Sequence, residues 1–217
     1  MPNLLIIVSA VILMAGLLNF EKNDNKNGLI PAKTALSLLF VIAVIIQPHP
    51  FPYFYYFLLA GLIFCLAGDV FLALPQKMMF LLGLISFLIG HVSYVIAFFG
   101  VAGINQWTLA GTLVAVFTSG WVYMWLRPHL GAMNGPVLLY MLVITVMLSG
   151  AWSVLGDSRL TLTGRVMVFG GALLFYFSDI FVARERFLKS EFINRLTGLP
   201  MYYAGQFLLA FSVGMIL

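Results

Sequence analysis

Runs of roughly twenty apolar residues follow one another from Leu4 to Leu217, and little separates them. The connections EKNDNKNG, QPHPFP, LPQK and RPHLGAMNG are short, and the longest, RERFLKSEFINRLTG, is also the most basic. Lipid offers no water to peptide N–H and C=O groups, so a crossing segment must satisfy its own backbone, as a helix does. The chain has 217 residues, 63% of them hydrophobic and 8% charged, with mean hydropathy +1.08. A soluble domain is nearer about a quarter charged. Room exists for about eight spans and little else. The expectation is an all-α polytopic membrane bundle of about eight transmembrane helices, forming a single transmembrane domain over residues 1–217.

The runs predict helices at about 4–20, 30–47, 53–74, 78–100, 107–126, 136–155, 165–183 and 200–217. The first reads as a span and not as a cleavable leader, because no positively charged stretch precedes it. Pro31 and Pro136 fall in the first turns of the second and sixth helices, where a missing N–H costs nothing. Eight spans place Lys22, Lys26, Lys33, Lys77, Arg127, Arg184, Arg186, Lys189 and Arg195 at one end, and only Arg159 and Arg165 at the other. Basic residues mark the cytoplasmic side. This predicts an integral, multi-pass protein of a bacterial inner membrane, with both termini outside and the basic end in the cytoplasm. The lone Cys65 excludes an intrachain disulfide.

Two aspartates lie inside the apolar runs: Asp69 in GLIFCLAGDVFLAL and Asp179 in GALLFYFSDIFVA. A carboxylate at membrane depth is costly, so it pairs, lines a wet cavity or does chemistry. GDVFLA aligns with SDIFVA without gaps, and Ala60-Gly61 with Gly170-Gly171. Four helices separate the two segments, which suggests a four-plus-four parallel repeat about an axis along the membrane normal. Chance likeness between apolar helices is the alternative. At 1.5 Å per residue both aspartates lie about 7–9 Å inside the basic end. Lys33, Tyr140, Tyr202, Tyr203, Gln206 and Asn19 converge on that depth, and His91 lies deeper with Tyr94 one turn on. One polar cavity is expected, open at the basic end, with the two aspartates facing each other across it. Structural roles remain open for each residue: an Asp–Lys33 tie, interfacial tyrosines, an interhelical bond from Gln206, or a hydrogen-bonded core His91.

Several chemistries find no support. There is no G-x-S-x-G, H-E-x-x-H or Walker pattern. His49 and His129 fall at opposite ends, so a three-histidine metal site is not expected. A Ser178–His91–Asp69 triad is geometrically conceivable, but nothing in the local sequence favours it.

Taken in order, the polar residues form a pattern. Lys33 follows a proline in the second span, G-L-x-F-x-x-x-G-D comes in the third, and G-H-x-x-Y in the fourth. Then come Pro-x-x-x-Tyr, F-x-x-S-D and Y-x-x-Q in the last three. Over nearly the whole chain this resembles the YhhN-like family of eight-span membrane proteins, whose characterised members are lysoplasmalogenases. Cys65 departs from the small polar residue common at that place in the family. The resemblance implies catalytic Asp69 and Asp179, with Lys33, His91, Tyr140, Ser178, Tyr203 and Gln206 binding substrate. It implies hydrolysis of a lysoplasmalogen vinyl ether to a fatty aldehyde and a glycerophospho-ethanolamine or -choline. Lysophospholipid and membrane lipid are then the partners, with no nucleic acid, no metal and no organic cofactor. Paired carboxylates suit acid-catalysed hydrolysis, since a shared apolar cavity keeps one protonated and the other ionised. A proton-coupled transporter or flippase, or a lipid-binding bundle without catalysis, would also retain buried aspartates.

Overall fold

The computed structural model describes residues 2–217. The chain folds into eight long helices: α1 (Pro2–Lys22), α2 (Lys26–Ile45), α3 (Pro52–Ala73), α4 (Lys77–Ala102), α5 (Gln106–Leu126), α6 (Asn134–Gly156), α7 (Leu162–Ala183) and α8 (Phe192–Ser212). All but α8 are long and apolar enough to cross a membrane. α8 is the most amphipathic, because Asn194, Tyr202, Tyr203 and Gln206 face inward. It packs along α7 and reaches α2, α1 and α3.

Local chemistry sets the helix starts. The Asn25 side chain accepts from the Gly28 N–H, and Thr161 accepts from the Gly164 N–H. Asn105 and Thr108 bond reciprocally as a capping box. α4 ends at Gly103, whose φ of +66° suits a residue without Cβ. Between α6 and α7, Arg159 donates to Asp157 through Nε (2.9 Å) and Nη2 (2.6 Å), holding that carboxyl below the usual carboxylate range.

Two helix starts differ from expectation. α2 begins at Lys26, so Pro31 and Lys33 lie past its first turn; the Asn25 cap starts it early. α8 begins at Phe192, so Pro200 is inside it and Tyr202, Tyr203 and Gln206 lie deeper than two turns. The charged stretch before Pro200 is helical because its side chains are paired. Arg195 bonds Glu185 (2.7 Å), and the Asn194 amide donates to Glu185 (2.7 Å) and to the Lys189 carbonyl (2.8 Å).

The halves repeat. α3 packs along α4 as α7 does along α8, and α4 crosses to α6 as α8 crosses to α2. α1 and α5 are peripheral, with Leu4, Val11, Leu113 and Phe117 facing outward. The backbones approach at matching points. A Cβ added to Gly90 would stand 3.1 Å from the Gly61 carbonyl oxygen, and one on Gly205 2.8 Å from that of Gly171. One turn pair away, Gly83 and Gly198 meet the carbonyls of Gly68 and Ser178 at 3.4 and 3.6 Å. The sequences agree: GLISFLIGH over 83–91 corresponds to GLPMYYAGQ over 198–206. Residues 74–76 join α3 to α4, whereas 184–191 join α7 to α8. The second half is longer there by a five-residue π-helical turn, Arg184–Leu188.

This close packing can be tested at neighbouring glycines. Gly205→Ala pushes a methyl against the Gly171 carbonyl and is expected to destabilise by about 1–3 kcal/mol. Gly170→Ala meets only Leu208 Cδ1, at 3.7 Å, and should leave stability unchanged. Thermal melting of the two variants in detergent reads the difference.

Candidate active site

A cavity of about 490 Å³ lies between the halves and opens at the basic end. Both Asp69 and Asp179 line it, along with Lys33, Tyr140, Ser178 and Tyr202. Leu72, Leu84, Leu126, Met141 and Ile144 supply apolar wall, and Glu21, Glu185, Arg186, Asn194 and Arg195 also line it. On its inner side Phe87 and Tyr202 line it, and Phe175 packs against both. Phe175 stands 5.2 Å from Tyr202 and 6.1 Å from Phe87, and Phe87 stands 5.9 Å from Tyr202.

The two aspartates occupy equivalent places in the repeat but have different neighbours. Asp69, only 2% exposed, is surrounded by donors. Tyr202 and Ser37 donate to its Oδ2 at 2.6 and 2.7 Å, and the Lys33 ammonium lies 3.6 Å from Oδ1. Lys33 and Ser37 are one turn apart on one face of α2. Asp179 is half-buried and accepts one side-chain bond, from Tyr140 (2.6 Å). Among the described residues no Lys or Arg nitrogen lies within 4 Å of it. The cause is in the sequence. α6 contains no Lys or Arg, and the residue corresponding to Tyr202 is Phe87, which has no hydroxyl.

The family model of the YhhN family matches residues 30–213. The chain belongs to the YhhN family. Neither a curated protein nor a solved structure matches it.

Of the residues that the YhhN resemblance marked, Asp69, Asp179, Lys33, Tyr140 and Ser178 reach the cavity. Ser178 donates to the Phe175 carbonyl (2.7 Å) and so has no free proton to offer. His91, Tyr203 and Gln206 were expected to bind substrate but do not line the cavity. His91 is fully buried among the rings of Phe175 (4.5 Å) and Tyr140 (5.1 Å). Its Nδ1–H donates to the Phe87 carbonyl (2.7 Å). Gln206 accepts from Tyr94 (2.8 Å), and Tyr203 donates to the Lys33 carbonyl (3.3 Å). These three brace the helices behind the ring layer. No Ser178–His91–Asp69 triad exists, because each member is bonded elsewhere.

Two contributors escaped the sequence. Ser37 is a serine in an apolar helix, and its one signal is the four-residue spacing from Lys33. Tyr202 was grouped with the polar set, but its neighbour Tyr203 was preferred; a tyrosine pair does not say which member faces the site. Aligning GLPMYYAGQ with GLISFLIGH resolves it, since Tyr202 falls opposite Phe87. Among the described residues no three His, Cys, Asp or Glu side chains converge as a metal would need.

The Lys33–Asp69 pair yields a stability test. Lys33→Met strands a buried carboxylate and should cost about 3 kcal/mol, the low end for a broken buried pair because Ser37 and Tyr202 still donate. Adding Asp69→Asn should recover most of that loss. A double-mutant cycle on melting in detergent measures the coupling.

Proposed function

We propose that this protein hydrolyses the vinyl ether of lysoplasmalogens, releasing a fatty aldehyde and a glycerophospho-ethanolamine or -choline. The observation that carries this reading is the pair of aspartates lining one cavity in opposite surroundings. A vinyl ether is cleaved by adding a proton to carbon. The resulting oxocarbenium ion is captured by water, and the hemiacetal collapses to aldehyde and alcohol. The chemistry calls for a carboxyl that holds a proton in an apolar wall and a second group that stays ionised.

Asp179 suits the first role. It faces the cavity, has one donor, and among the described residues has no Lys or Arg nitrogen within 4 Å to hold its charge. Asp69 suits the second. Two hydroxyls and an ammonium stabilise its carboxylate. In this assignment Asp179 gives its proton to the alkenyl carbon. Asp69 steadies the positive charge and orients water, and the proton that water loses returns to Asp179. The apolar walls take the alkenyl chain. The family placement and the bundle of membrane-spanning helices are compatible with this reading. On the basic-residue count the cavity mouth faces the cytoplasm of a bacterial cell.

Asp179→Asn and Asp69→Asn should each lower aldehyde release from a purified lysoplasmalogenase assay by at least about a hundredfold. Melting should fall only for Asp69→Asn, which leaves Lys33 unpaired. Near-normal turnover in either variant rules out the two-carboxylate mechanism.

A further inference from the structure

Among the described residues three cations line the cavity: Lys33, Arg195 and Arg186. Lys33 is engaged with Asp69. Arg195 is held by Glu185 (2.7 Å), Glu21 (3.4 Å) and Asp24 (3.9 Å). Among the described residues Arg186 alone of the three has no carboxylate within 4 Å. It is exposed at the mouth, and its guanidinium lies 4.3 Å over the Phe80 ring of α4. Phe187 meets Phe80 edge to face at 6.0 Å, so the guanidinium has an aromatic backing. Arg186 belongs to the π-helical turn that the first half of the chain lacks. The insertion thus hangs an unpaired cation over the open end of the cavity.

The spacing fits a lysolipid. Arg186 lies seven residues beyond Asp179, on the order of 10 Å along the axis. A glycerol backbone places a phosphodiester beyond the vinyl ether, and the arginine side chain covers the remaining gap. We infer that Arg186 reads the phosphate of the substrate headgroup, its guanidinium fork binding the phosphodiester while Phe80 holds its plane. This rests on the hydrolase reading; Lys33, the other cation near the aspartates, is already engaged with Asp69. A guanidinium matches two phosphate oxygens at once, which a lysine does not.

The test compares an alkenyl-lysophosphoethanolamine with an alkenylglycerol that lacks the phosphate, using purified protein in detergent. Arg186→Gln should raise KM for the phosphorylated substrate about tenfold or more, leave its kcat unchanged, and leave alkenylglycerol cleavage unaffected. Arg186→Lys should recover part of the loss. Equal losses on both substrates, as a contact with bulk lipid would produce, overturn the inference, as does no loss on either. If the wild-type protein cleaves neither, the hydrolase reading fails and a binding arm decides. The probes are a saturated alkyl-lysophosphoethanolamine and an alkylglycerol. A wild-type preference for the first that Arg186→Gln removes supports the inference; no preference in the wild type overturns it.

Discussion

The Lys33 ammonium, 3.6 Å from Asp69, joins α2 to α3 inside a bundle that has almost no other charge at that depth. Lipid cannot solvate either group, so each depends on the other, and Asp69 also on the hydroxyls of Ser37 and Tyr202. Tyr202 carries this network to α8, the least apolar of the helices. α8 can therefore be polar along one face, because that face meets Asp69, Tyr94 and Ser37 instead of lipid. The cavity, the inward face of α8 and the ring layer behind them all follow from where this ion pair is placed.

A duplicated half-bundle brings two aspartates to equivalent positions, and a few substitutions make them unequal. Phe87 stands where Tyr202 stands in the other half, and α6 offers Asp179 a tyrosine but no lysine. Matching glycines bring the helix pairs together at corresponding points, and the two carboxyls there differ in their neighbours. The π-helical turn is the second asymmetry. It lengthens one half, carries Glu185 to Arg195 and places Arg186 over the mouth. Symmetry supplies the paired groups, and departures from symmetry give each its role.

Most of the bundle was legible in the sequence because its signals are long. Apolar runs mark helices whatever their partners, and GDVFLA against SDIFVA exposes the repeat. The start of α8 was not legible, because a stretch such as EFINRLTG reads as a loop until Arg195 and Asn194 find Glu185 and Lys189. Depth along a helix could be counted, so Asp69, Asp179 and Tyr140 were placed at the cavity. Rotation about a helix could not, since α3 and α4 carry few polar residues to mark an inward face. Tyr203 and Gln206 share that depth and His91 lies deeper, yet Tyr203 bonds the Lys33 carbonyl, Gln206 accepts from Tyr94 and His91 packs against Phe175 and Tyr140, away from the cavity. The Arg195–Glu21 contact spans the chain from α8 to α1 and leaves no local trace.

The central claim is that a carboxyl in this cavity adds a proton to the carbon of a vinyl ether. Hydrolysis of a lysoplasmalogen by the purified protein in deuterated water tests it directly, read by mass spectrometry of the aldehyde. The account predicts deuterium on the carbon next to the carbonyl, absent from aldehyde merely incubated in the same solvent, and slower release than in ordinary water. Aldehyde without that deuterium, or no aldehyde at all, would contradict it.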